Sequence, residues 1–207
     1  MSNQPEESFL QQNFKYYQEW YHWLSKAEKL KRASVILYRA DLPDLRLYDK
    51  AYKKTLAEIG DEGKAPVRHP HPDMLPAFSM FGSAVESLFK GLMVHKTPDL
   101  IGANKLSRRL KSHNLVDLAK DAGVKLSAPE IRLLAWLSEV VIWKARYSVP
   151  SDTKYGDVFF HRLDNMSLTD AQACIKALEG IFSRSKKMLP RSKKVSEGFD
   201  VLVVWKN

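Results

Sequence analysis

The stretch that most restricts the fold is Phe78–Val94, FSMFGSAVESLFKGLMV. Phe78, Phe81, Val85, Leu88 and Leu92 recur at the three-and-four spacing of an α-helix. Met80, Ala84, Phe89 and Met93 make its other faces apolar too. A helix that is apolar nearly all round belongs at the centre of a fold, with neighbours on several sides. Two charges interrupt it. Glu86 and Lys90 lie one turn apart with the acid nearer the N-terminus, the favourable order for an ion pair. Two roles are open to them. They form a partly exposed pair worth about 0.2–0.5 kcal/mol, or they mark a surface used for dimerisation or ligand contact.

Helical patterns flank this segment on both sides. Over 9–39, Leu10, Phe14, Tyr17, Tyr21, Leu24 and Ala27 form a stripe that Leu30, Ala33 and Leu37 continue. Glu6 and Glu7 stand near its start, where acids suit the helix dipole. Lys26, Lys29, Lys31 and Arg32 make a basic turn, read as a solvated face or a phosphate contact. Pro43 in ADLPDLRLYD is expected to break the pattern. A second helix is expected at about 44–59, with Leu47, Ala51, Leu56 and Ile59 inward and Gly60 as its stop. Residues 60–73 read as a loop. Its His69 and His71 have metal-binding chemistry but no further ligand-spaced partner, so they are read as loop residues.

Beyond the central helix, HNLVDLAKDAG reads as a short helix with Leu115 and Leu118 inward and Gly123 as its cap. Ser127-Ala-Pro-Glu130 has the spacing of a capping box. The helix it opens is expected to run to about Arg146, with Ile131, Leu134, Ser138, Val141 and Ala145 as its inner stripe. A long connection, 147–166, leads to Ser167-Leu-Thr-Asp170 and a helix over 168–187. The expected architecture is all-α: one helical domain over 1–187 and a tail over 188–207, basic and then apolar and β-prone in FDVLVVW.

Composition narrows the function classes. The chain has 207 residues and a formal net charge of +9, which suits nucleic acid or an anionic ligand but also serves solubility alone. Cys174 is the single cysteine, so neither an intramolecular disulfide nor a cysteine zinc cluster is available. The N-terminus lacks the order of a secretory signal, and no apolar run approaches the ~20 residues of a membrane span. A cytoplasmic protein without membrane contact is the expectation. There is no phosphate-cradling glycine loop and no G-x-S-x-G, so the chemistries those motifs carry are not expected; no cofactor is expected either.

Three segments resemble HEPN domains. AVESLFKGLMV, 84–94, resembles their second core helix, with its alanine, glutamate and lysine at this spacing. KSHNLVDLAKDAG, 111–123, is similar to the segment in which a histidine precedes a leucine-rich short helix. WKARYSVPSD, 143–152, is similar to the arginine-tyrosine-proline ending of a later core helix. The resemblance covers roughly 74–185. It implies an up-and-down bundle, commonly dimeric, with an extra N-terminal helical region here. It also implies one of several functions: binding of RNA or a nucleotide, metal-independent ribonuclease activity, or partnership with a nucleotidyltransferase in a toxin–antitoxin, defence or RNA-processing system.

The catalytic branch carries an arginine, four to six residues, then a histidine. Arg108 and Arg109 with His113 are the candidates here. The match differs in place, because the family motif lies later, near the helix ending WKARYSVPSD, and the next histidine after Arg146 is His161. On a continuous helix Arg108 and His113 would diverge by ~140°, and Arg109 would align better. The expected ligand contacts are Glu86, Lys90, Lys111, Lys144 and Arg146, with Arg146 also a candidate ion-pair partner of Glu86. A hydrogen-bonding role for His113 at the start of the short helix is the alternative to catalysis.

Overall fold

The computed structural model describes residues 16–58, 73–102, 105–144 and 166–190. The described residues form an all-α bundle. Its helices are α1 (Trp20–Glu58), α2 (Leu75–Lys96), α3 (Arg108–Lys111), α4 (Leu115–Asp121), α5 (Ala128–Glu139) and α6 (Leu168–Lys186). A 3-10 turn, Pro98–Leu100, follows α2, and a π-helical turn, Val140–Lys144, extends α5. His69, His71, the connection 147–165, Arg146 and the apolar tail 199–205 lie outside the described residues.

The central position expected of Phe78–Val94 is what α2 occupies. It packs on α1, α4, α5 with its π-turn, and α6. Phe78, Phe81, Val85, Leu88, Phe89 and Leu92 are fully buried. Two glycines let neighbours approach closely from opposite sides. A Cβ at Gly82 would run into Val141 Cγ2 and stand 3.0 Å from Leu137 Cγ. A Cβ at Gly91 would stand 2.9 Å from Trp23 Cβ of α1. Nine residues turn a helix through roughly 180°, so α2 is thinned on two opposite flanks.

The break expected at Pro43 does not occur. One 39-residue helix runs through it. Proline removes one N–H, whose acceptor would be the Arg39 carbonyl. Ala40, Pro43 and Asp44 are exposed, so water can serve that carbonyl. The inner stripe also differs from the expected one. Repeated steps of three residues fall about 60° short of a full turn each time and roll off the face. The buried line is Leu24, Ala27, Ser34 and Leu45. Lys31 fills the gap in that line with its ammonium 5.1 Å from the centroid of the Phe182 ring. Ser34 donates to the Ala77 carbonyl at 2.7 Å, which makes a polar residue acceptable there. Leu47, expected inward, is 66% exposed, and Leu45 is buried in its place.

The helix boundaries follow local chemistry. Gly123, with φ 71°, ends α4 in the left-handed region. Ser127 and Glu130 form the expected capping box at the start of α5. Ser167 accepts from the Asp170 N–H at 3.1 Å and opens α6. Along α5 and its π-turn, Leu134, Ser138 and Val141 face inward as expected. Ile131 is 42% exposed, and Trp136 and Leu137 take the inner positions instead. Glu130 also accepts from Arg184 of α6 at 2.8 Å. Burial works against its charge, but the Ser127 backbone and hydroxyl, joined by Arg184, hold the carboxyl below the usual glutamate range.

Candidate functional site

The site is built from the two charges that interrupt α2. Lys90 Nζ lies 2.6 Å from Glu86 Oε1, on one face of the helix. The pair is not a surface pair: the Lys90 side chain is 6% exposed and that of Glu86 14%. The neighbour that covers it is His113, whose Nδ1 lies 3.1 Å from both Glu86 oxygens. Two groups therefore share one carboxylate. The lysine neutralises it from within, and the imidazole sits over it from without, 44% exposed.

His113 is placed there by the short segment between α3 and α4. Ser107 caps α3, accepting from the Arg109 N–H at 3.3 Å. Leu110 is buried and holds this single turn against the body. Ser112, with ψ 147°, ends the turn in extended backbone. Asn114 then starts α4, its Oδ1 accepting from the N–H groups of Val116 and Asp117 at 3.0 and 3.2 Å. The Leu115 N–H donates to the buried Ser138 Oγ at 2.8 Å, fixing α4 to α5. His113 is thus held between two anchored turns.

A carboxylate only accepts hydrogen bonds, so the Nδ1 facing Glu86 carries the hydrogen. In the neutral ring this leaves the lone pair on Nε2, which has no hydrogen-bond partner among the described residues. An imidazole oriented by a carboxylate and open at its other nitrogen can accept a proton or a ligand hydrogen bond. The buried lysine keeps the carboxylate's charge locally balanced.

The cations of α3 surround this segment. Because Leu110 points inward, Arg108, Arg109 and Lys111 are all exposed. Arg109 Nε donates to Asp121 Oδ2 at 2.9 Å, and that hydrogen bond with its charge raises the guanidinium further above its ordinary value. Arg109 is thereby engaged with α4 rather than with His113. Arg108 and Lys111 have no ion pair among the described residues. The helix break at Ser112 removes the wheel geometry expected to favour Arg109 over Arg108 as the partner of His113.

Glu86, Lys90 and His113 thus come together, with Arg108 and Lys111 in the adjoining turn. Lys144 belongs to the π-turn, but its side chain, like Arg146, lies outside the described residues, and so does the expected Glu86–Arg146 pair. The Glu86–His113 contact spans 27 positions and is absent from the sequence expectations. Its one sequence signal is a charged pair on an otherwise apolar helix, together with a histidine immediately before an asparagine cap. Among the described residues no helix is long and apolar enough to cross a membrane. No family model, no curated protein and no solved structure matches the chain.

Proposed function

We propose that this chain is a HEPN-like bundle that binds RNA or a nucleotide through the basic turn α3 and the adjoining His113. The observation that carries the reading is the arrangement of that turn. Leu110 is buried, while Arg108 and Lys111 are exposed, without carboxylate partners among the described residues, two to five positions from a histidine oriented by Glu86. Exposed cations without partners beside a fixed hydrogen-bonding ring suit phosphate oxygens and a nearby hydroxyl or base edge. The net charge of +9 supports the same class of partner. A homodimer, as in the resembling family, would place two such turns on one assembly.

Salt titration of binding to single-stranded RNA tests this. Each phosphate contact contributes a slope of about −0.7 in log affinity against log salt. The double variant Arg108→Ala/Lys111→Ala should weaken binding and flatten that slope. Unchanged affinity and slope would refute the assignment.

A second reading is a metal-independent endoribonuclease, and the Glu86–His113 contact favours it. In this reaction His113 Nε2 takes the proton of the 2′-hydroxyl, and the 2′-oxygen attacks the neighbouring phosphorus. The bond to the 5′-oxygen breaks, and that oxygen takes a proton from water. A 2′,3′-cyclic phosphate and a 5′-hydroxyl result. Arg108 would offset the charge gathering on the phosphate. Cleavage of mixed RNA in EDTA, lost in His113→Ala and strongly reduced in Glu86→Gln, is the expected result. No cleavage, or equal cleavage by wild type and His113→Ala, sinks this reading and leaves the binding reading in place.

A further inference from the structure

A groove lies between the start of α1, with the residues leading into it, and the link that follows α2. Its volume is about 670 Å³, within the range of small-molecule sites. Tyr16, Tyr17 and Trp23 line it together with His22, whose ring lies against that of Tyr16, and Leu106 adds aliphatic surface from the facing link, where Ile101 is fully buried. These two aliphatic residues are held as a bridged pair. The Gln18 amide donates to the Ile101 carbonyl and joins the two walls.

The rings are accessible yet ordered. Tyr16 and Tyr17 are 51% and 50% exposed, an unusual outlay of aromatic surface to water. Their centroids are 5.2 Å apart, edge to face, and Tyr17 stands 6.2 Å from Trp23. Trp23 Nε1 donates to the Tyr17 carbonyl at 2.9 Å, so the indole has its donor satisfied and offers a ligand ring surface alone. Gly91 lies against Trp23 Cβ from behind and fixes its depth.

The charge of the groove has one sign. Lys26 and Lys29 line it, both are exposed, and neither has an ion pair among the described residues. Ser25 adds a hydroxyl, and among the described residues no carboxylate lines the groove. A purely apolar occupant would make no use of two uncompensated ammonium groups. A bare anion would make no use of the rings. A flat aromatic ring carrying phosphate uses both, the ring by stacking and the phosphate through the lysines.

We infer that this groove binds a nucleotide, with the base stacked among Tyr16, Tyr17 and Trp23 and the phosphate on Lys26 and Lys29. The assignment deepens the RNA- or nucleotide-binding reading and rests on it for the class of ligand. The nucleotide is either free or one unit of a single strand.

Calorimetry at low salt on the full chain separates these cases. The probes are AMP, ribose 5-phosphate, and a single-stranded oligoadenylate of about six nucleotides, within the span such grooves cover. AMP or the oligonucleotide should bind, and ribose 5-phosphate should bind far more weakly. Tyr17→Ala should weaken binding by about tenfold, the scale of one lost base–aromatic stack. Lys26→Ala/Lys29→Ala should weaken it and flatten its salt dependence. Both variants alter exposed side chains, and circular dichroism confirms their fold. Saturation by AMP identifies a free nucleotide; binding by the oligonucleotide alone identifies a strand. Wild type that binds neither, or ribose 5-phosphate that matches AMP, overturns the inference. So does unchanged binding in both variants; if Arg108→Ala/Lys111→Ala then loses the oligonucleotide, the α3 reading stands without the groove. Loss in Tyr17→Ala with retention in Arg108→Ala/Lys111→Ala supports the groove and removes the α3 face.

Discussion

Replacing Glu86 by leucine tests the central pair directly. On an exposed helix such a pair would contribute at most about 1 kcal/mol. Here the Lys90 side chain is 6% exposed and its partner 14%, so removing the carboxylate leaves an ammonium in place without its counter-charge. Breaking a buried pair from one side costs about 3–5 kcal/mol. The Lys90 side chain keeps 6% exposure and has a long flexible stem, so its ammonium can recover some hydration, which places the expected loss near the lower end, about 3 kcal/mol. For a chain of this size that lowers the melting temperature by roughly 6–12 °C. The companion variant Glu86→Leu/Lys90→Met removes both charges and should return to within about 1.5 kcal/mol of wild type. His113 loses its partner in both variants, but at 44% exposure its ring can turn to water. Urea denaturation of wild type, the two single variants Glu86→Leu and Lys90→Met, and the double variant, with matched slopes, gives the coupling. Glu86→Leu within about 1 kcal/mol of wild type, or a double variant no more stable than Glu86→Leu, would refute the description of a buried, mutually dependent pair.

Gly82→Ala should destabilise by about 1–3 kcal/mol, because the added methyl meets Val141 and Leu137 on the closely packed flank of α2; thermal denaturation reads this, and a neutral result would mean that α5 can yield. Pro43→Ala should stabilise by about 1–3 kcal/mol by restoring an N–H donor within α1, measured by chemical denaturation. Glu130 supplies the pH dependence. Its folded-state pKa lies below the ordinary 4.5, so its contribution is present above that value and is lost as pH falls through the depressed one. Stability curves of wild type and Glu130→Gln should therefore converge on acidification, and parallel curves would contradict the assignment.

Much of the architecture follows from local rules. The central helix was legible because Phe78, Phe81, Val85, Leu88 and Leu92 repeat at one period, and its burial confirms that pattern. The caps at Ser127, Gly123 and Ser167 were legible because each concerns residues a few positions apart. The errors on α1 share a cause. Ser34 and Lys31 occupy inward positions that a hydrophobicity pattern assigns to solvent, and only the Ala77 carbonyl and the Phe182 ring explain them. Pro43 reads as a break unless its missing donor is known to face water. The site was half legible. Glu86 and Lys90 stand out on an apolar helix, and His113 stands out before a cap, but their meeting depends on how α3 and α4 fold back over α2.

The length of α1 has a further consequence. Among its described side chains Leu45 is the last that is fully buried, and Leu47 and Tyr52 beyond it are exposed. About 20 Å of helix follows Leu45, at 1.5 Å per residue. One continuous hydrogen-bonded element therefore spans two regimes of protection. Amides from Leu24 to Leu45, apart from Pro43 which has none, are expected to exchange with deuterium only through opening of the whole bundle, while those past Leu45 exchange by fraying from the C-terminal end. The boundary between the two falls just beyond Pro43, where the backbone lacks one link.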